Sequence, residues 1–97
     1  LQDLLEANAV QPVDWSMVEN QVDKIHPGFL DRLQKRHPVV SVNDKILCSY
    51  IRLGLSSKEI AGLLNITSKS VEISRVRLRK KLGINEKIRL VNYLGQL

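Results

Sequence analysis

An all-α fold is what this sequence predicts, and three observations predict it. Hydroxyl caps followed three residues later by an acid recur along the chain, as at Ser41 with Asp44 and at Ser56 with Glu59. Apolar residues return at intervals of three, four and seven, the spacing of one helical face. No alternating stretch is long enough for a sheet, and there is neither an internal repeat nor a Gly-rich phosphate loop. With 97 residues, 43% of them hydrophobic, the chain can bury one modest core and not two.

In chain order, Leu1, Leu4, Leu5 and Ala9 share one side of a first short helix that Pro12 stops. Val13 and Asp14 then supply a staple and a cap for a helix carrying Trp15, Val18, Val22 and Ile25 at helical spacing, with Trp15 as a core anchor. His26, Pro27 and Gly28 break it. Phe29, Leu30 and Leu33 face the core from the next segment, which ends before Pro38 because a residue preceding proline is pushed out of the helical region. Both histidines border prolines at helix boundaries and read as turn residues, not general bases.

Ser41 opens a helix with Ile46, Leu47, Tyr50, Ile51 and Leu53 on its apolar face, closed by Gly54 in the left-handed position. Ser56 with Glu59 starts another, stapled by Leu55 and Ile60. Asn65 suits the left-handed turn that follows, and Thr67 caps a longer helix stapled by Ile66 and Val71. Gly83 ends that helix. Asn85 caps a last one, Glu86 to about Leu94, with Ile88, Val91 and Leu94 on one side.

The charge distribution points to the partner. Net charge is +5, yet residues 1–44 carry four basic and seven acidic groups and residues 45–97 eleven and three. Six of those basic residues, against one acid, lie between Lys69 and Lys81, so a directional positive field issues from one helix, as a nucleic-acid binder requires. Solubility alone would scatter them. Val71, Leu78 and Leu82 make a narrow stripe for the core, and the opposite face carries Lys69, Glu72, Ile73, Val76, Arg77 and Lys80, with Arg79 on its flank. Exposed Ile73 and Val76 within a basic face suit thymine methyls while neighbouring cations meet phosphates.

Other chemistries find little support. A single cysteine, Cys48, allows no internal disulfide, and in its apolar pattern it reads as a buried thiol. His26 and His37 offer no zinc spacing, and no nucleophile, base and orienting group can be assembled, so neither an enzyme nor a cofactor is expected. Without an 18-residue apolar run or a signal peptide, a cytoplasmic piece is expected. The chain begins inside an apolar pattern, so it is expected to be the end of a longer protein, which could be membrane-tethered upstream.

Leu55 to Ile84 resembles the LuxR-type (GerE-like) helix-turn-helix. The family's pieces appear in order and without a gap as Leu55, Ser56, Ser57, Lys58, Glu59, Ile60 and Ala61; Ile66 and Thr67; Ser70 and Val71; and Lys81, Leu82, Gly83 and Ile84. The resemblance extends over roughly Ser41 to Leu94, since Ser41, Asp44 and Leu47 fall where the family's scaffold helix begins. The front half is similar to the C-terminal ends of large Bacteroidetes regulators, through the Trp15 helix, the His26, Pro27, Phe29, Leu30 and Leu33 segment, and the run from Leu47–Cys48 to Arg52–Leu53. That implies a helical lead-in over residues 1–40, packed on a tetrahelical helix-turn-helix domain over residues 41–97.

The family implies sequence-specific binding of double-stranded DNA as the output of a transcriptional regulator. In that reading the helix from Ser68 to Leu82 enters the major groove, with Lys69, Glu72, Ile73 and Val76 nearest base edges and Arg77, Arg79 and Lys80 mostly on phosphates. Thr67 and Ser68 add hydroxyl or amide contacts. A homodimer on paired half-sites is expected, with the last helix as its surface, and there is room for contact with RNA polymerase. Glu72 stands where many relatives have a basic residue, and Arg75 where they are apolar; Arg75 is expected to turn its head toward Glu59 or Glu72. The competing readings are a sigma-factor region 4-like promoter module and a protein-interaction module with a basic face.

Overall fold

The computed structural model describes residues 15–85 and 87–97, and among these it contains six helices and no strand. They are α1 (Trp15–Ile25), α2 (Phe29–Arg36), α3 (Val42–Arg52), α4 (Ser57–Leu64), α5 (Ser68–Leu82) and α6 (Leu90–Gly95). The readings for Leu1 to Val10, Pro12 and the Val13–Asp14 staple and cap lie outside the described residues.

Helix α3 is the centre. Six consecutive residues, Ile46 to Ile51, are buried, and a helix apolar on every side must be surrounded. Helices α1 and α6 pack on it, α2 packs on α1, and α4 packs on α5. Ser49 is the polar member of the run, and its hydroxyl donates to the Lys45 carbonyl at 2.8 Å, so it is buried without being unsatisfied. Cys48 is also fully buried. Burial, reinforced by the nearby Asp44 charge, pushes its thiol up to about 12, which suits packing and not nucleophilic chemistry.

Local chemistry sets the helix ends as the sequence predicts. Ser41 and Asp44 form a reciprocal capping box, as do Ser56 and Glu59. Asn65 is left-handed at φ 58°, Gly54 at 90° and Gly83 at 71°, each ending a helix where a continued right-handed turn would run on. Val18 and Val22 of α1 and Phe29 and Leu33 of α2 belong to the same buried cluster as Ile51, Ile60, Leu78 and Leu94. The described part of the lead-in therefore shares one core with the helices that follow it.

Two expectations need correction. Ile25 is 56% exposed, because α1 ends there and the chain turns away at His26. The last helix begins at Leu90, not Glu86: Asn85 Oδ1 accepts the Lys87 amide in a side-chain turn, and Arg89 is the residue before the helix. The buried pair is accordingly Leu90 and Leu94, while Ile88 is exposed. Helix α6 is also tied to α2. His37 Nε2 lies 2.6 Å from the Tyr93 hydroxyl, and Arg32 Nε donates to the Leu97 carbonyl at 2.9 Å. Burial, then the adjacent Arg36 charge, holds the His37 imidazole below its ordinary value, which favours a neutral ring whose Nε2 can accept a hydrogen bond from the Tyr93 hydroxyl.

Candidate nucleic-acid interface

Helix α5 is placed by its inner edge. Val71, Leu78 and Leu82 are 1%, 1% and 5% exposed and fix the helix against the core. At about 100° per residue, Lys69, Glu72, Ile73, Val76, Arg77 and Lys80 then fall within an outward arc of about 140°. All six are exposed, Ile73 at 45% and Val76 at 53%. Water is a poor neighbour for two β-branched apolar side chains side by side, so a partner that desolvates them gains free energy.

The start of α5 is built for rigidity. Thr67 Oγ1 accepts the Ser70 amide at 3.1 Å and donates to Ser70 Oγ at 2.9 Å. Its hydroxyl thus caps the helix and fixes the first turn, with Ser68 and Lys69 exposed beside it. At the other end, Arg79, Lys80 and Lys81 stand against the negative end of the helix dipole.

The cations of α5 do not all face the same way. Lys81 Nζ donates to Asp44 Oδ2 at 2.6 Å, tying the end of α5 to the start of α3. Burial pushes the Asp44 carboxyl up, but the hydrogen bonds from Lys81 and Ser41, together with the Lys81 charge, outweigh it and leave the group below its ordinary value. Arg79 is half-buried, and its Nη2 donates to the carbonyls of Asn85 and Ile88 at 2.9 and 2.6 Å. Its guanidinium serves the turn after α5 and does not stand clear on the outer face. Arg75 is half-buried and makes no ion pair with Glu59 or Glu72 among the described residues, contrary to expectation. Lys69, Arg77 and Lys80 carry the outward charge.

Sequence reasoning missed the Lys81–Asp44 bridge and the Arg79 brace. The available signal for the first was Lys81 standing next to core Leu82, on a different side of the helix from Lys80. No group of three or more potential metal ligands occurs among the described residues, and no helix among them is long and apolar enough to cross a membrane.

Two capped helices joined at a left-handed Asn65, the second with a bare basic and apolar face, define a helix-turn-helix DNA-binding domain. The sequence model of the GerE family, bacterial regulatory proteins of the luxR family, matches residues 46–94, starting slightly later than the Ser41 to Leu94 span read from the motifs. The chain belongs to this family, and it carries the DNA-binding output domain of a transcriptional regulator. It is 37% identical over 95 residues to the transcriptional regulatory protein TdiR of Thauera aromatica, across 96% of this chain and 39% of TdiR. It is also 35% identical over 63 residues to the transcriptional regulatory protein MctR of Rhizobium johnstonii, across 65% of this chain and 29% of MctR. The chain thus spans about two fifths or less of these curated relatives. No solved structure matches it significantly.

Proposed function

We propose that α5 enters the major groove of a duplex and reads base edges with Lys69, Glu72, Ile73 and Val76, while Arg77 and Lys80 hold phosphates. The observation that carries this reading is the exposure of those six residues opposite a fully buried Val71, Leu78 and Leu82 edge. Ile73 and Val76 are placed to meet thymine methyls, and Glu72 to accept from a cytosine amino group. Thr67 and Ser68, at the positive end of the helix, approach the backbone. Arg79, expected on phosphates from its position on the helix, instead has carbonyl partners that support a role in the turn after α5.

The function is sequence-specific control of transcription in the cytoplasm by a longer regulator, acting as a homodimer on paired half-sites and open to contact with RNA polymerase. One module offers three outward cations, too few for tight binding alone, and exposed Ile88 beside half-buried Val91 leaves apolar surface near α6 for a second copy. Residues 15–40 brace this module from behind. With Arg77 and Lys80 on phosphates, log affinity should fall with log salt at a slope of about −1.8 per module.

The test is fluorescence anisotropy on duplexes selected from a random pool. Lys80→Ala should weaken binding to every sequence alike and flatten the slope by about 0.9, whereas Ile73→Ala should shift preference at one base position by about 1–3 kcal/mol. Equal losses for both variants on random DNA would overturn this division of labour.

A further inference from the structure

The side chain of Arg79 and its own carbonyl act on the same turn. The carbonyl accepts the Ile84 amide at 3.1 Å, closing the end of α5 at left-handed Gly83. The guanidinium reaches past that bend and takes the Asn85 and Ile88 carbonyls. One residue thereby holds both the end of the reading helix and the connection that leads to α6. Those two carbonyls lie in the turn between α5 and α6, where the Asn85 side chain accepts from the Lys87 amide and the Asn85 carbonyl accepts from the Ile88 amide. A planar group with several donors is suited to gathering carbonyls in this way, and a compact ammonium on a flexible stem is less so.

We propose that Arg79 is a positioning residue for paired-site DNA binding: it fixes the direction in which α6 leaves the recognition helix, and so the spacing at which two copies of this chain read two half-sites. The inference rests on the dimeric DNA-binding reading above. It separates Arg79 from Arg77 and Lys80, which share its charge and its helix but not its surroundings. An arginine whose guanidinium is already engaged within the fold releases few counterions on docking, so its removal leaves the salt dependence of single-site binding in place. Loss of the brace acts on the geometry between copies.

The experiment compares Arg79→Gln, Arg79→Lys and Lys80→Ala on duplexes carrying one half-site and on duplexes carrying two at varied separations. On one half-site, Arg79→Gln should keep the wild-type slope, and Lys80→Ala should flatten it by about 0.9. On two, both Arg79 variants should lose about tenfold of the gain from the second half-site and bind several separations alike, where wild type prefers one. In the free protein, amide exchange at residues 87–91 should quicken about tenfold in both Arg79 variants while exchange in α3 stays as in wild type. A slope flattened by Arg79→Gln and restored by Arg79→Lys would make Arg79 a phosphate contact and overturn the proposal. Unchanged exchange would overturn it too, as would faster exchange with an unaltered separation preference. Wild type that gains nothing from a second half-site would instead sink the dimeric reading, and wild type that binds no duplex the DNA-binding one; in both cases the exchange measurement still decides whether the brace exists.

Discussion

Leu78 and Val76 sit two residues apart on α5, and replacing each with alanine tests which way the helix faces. Leu78 is 1% exposed within the shared core, whereas Val76 is 53% exposed on the outer face. Truncating a fully buried leucine removes its transfer free energy and leaves a cavity, a loss of about 2–5 kcal/mol. A chain of this size has about 5–15 kcal/mol in all, so Leu78→Ala should lower the melting temperature by about 10–25 °C. Val76→Ala removes surface that water already reaches, and the better helix propensity of alanine offsets part of even that, so the change should stay within about 0.5 kcal/mol. Thermal unfolding followed by far-ultraviolet circular dichroism measures both. DNA affinity below the melting transition should rank the other way, with Val76→Ala the more damaging. Similar melting shifts for the two variants would refute the assigned facing of α5, and the interface built on it.

Two further outcomes follow from particular contacts. The Asp44 carboxyl is held below its ordinary value of 3.8 by Lys81 and Ser41, so its stabilising contribution is complete above that value and is lost as pH falls through the depressed folded value. Asp44→Asn should therefore cost about 1 kcal/mol at pH 7, and the gap to wild type should narrow as pH falls below 3.8 in parallel urea titrations. Thr67→Ala leaves the Ser70 amide without its acceptor and should cost about 1 kcal/mol by urea unfolding, while Thr67→Ser, which keeps the oxygen, should cost less.

What the sequence disclosed was whatever is decided within a few residues. The Ser41 and Ser56 boxes, the Thr67 cap and the Asn65 and Gly83 turns are local bargains between a side chain and its own backbone, and each stands as read. The facing of α5 was legible for a related reason, since Val71, Leu78 and Leu82 can be buried together in only one rotation of the helix. Asn85 misled because one side-chain oxygen serves a helix cap and a free-standing turn equally well. Ile25 obeys the helical period but comes after the point where the chain leaves the core. Within the candidate interface, Lys80, Arg79 and Lys81 look alike in one dimension. Their different uses depend on Asp44, 37 residues earlier, and on carbonyls six and nine residues later, which no local pattern records.

The clasp between α2 and α6 bears on how this small unit comes together and comes apart. Arg32 reaches Leu97 across 65 positions and His37 reaches Tyr93 across 56, so nearly the whole span between them is enclosed as a single loop. By loop-closure entropy such a ring should form late, after the capped helices inside it have shortened the distance to be closed, and should open first at its seam. A protease cut or a deletion on either side of that seam should be felt on the other, although α5 lies between them in the chain.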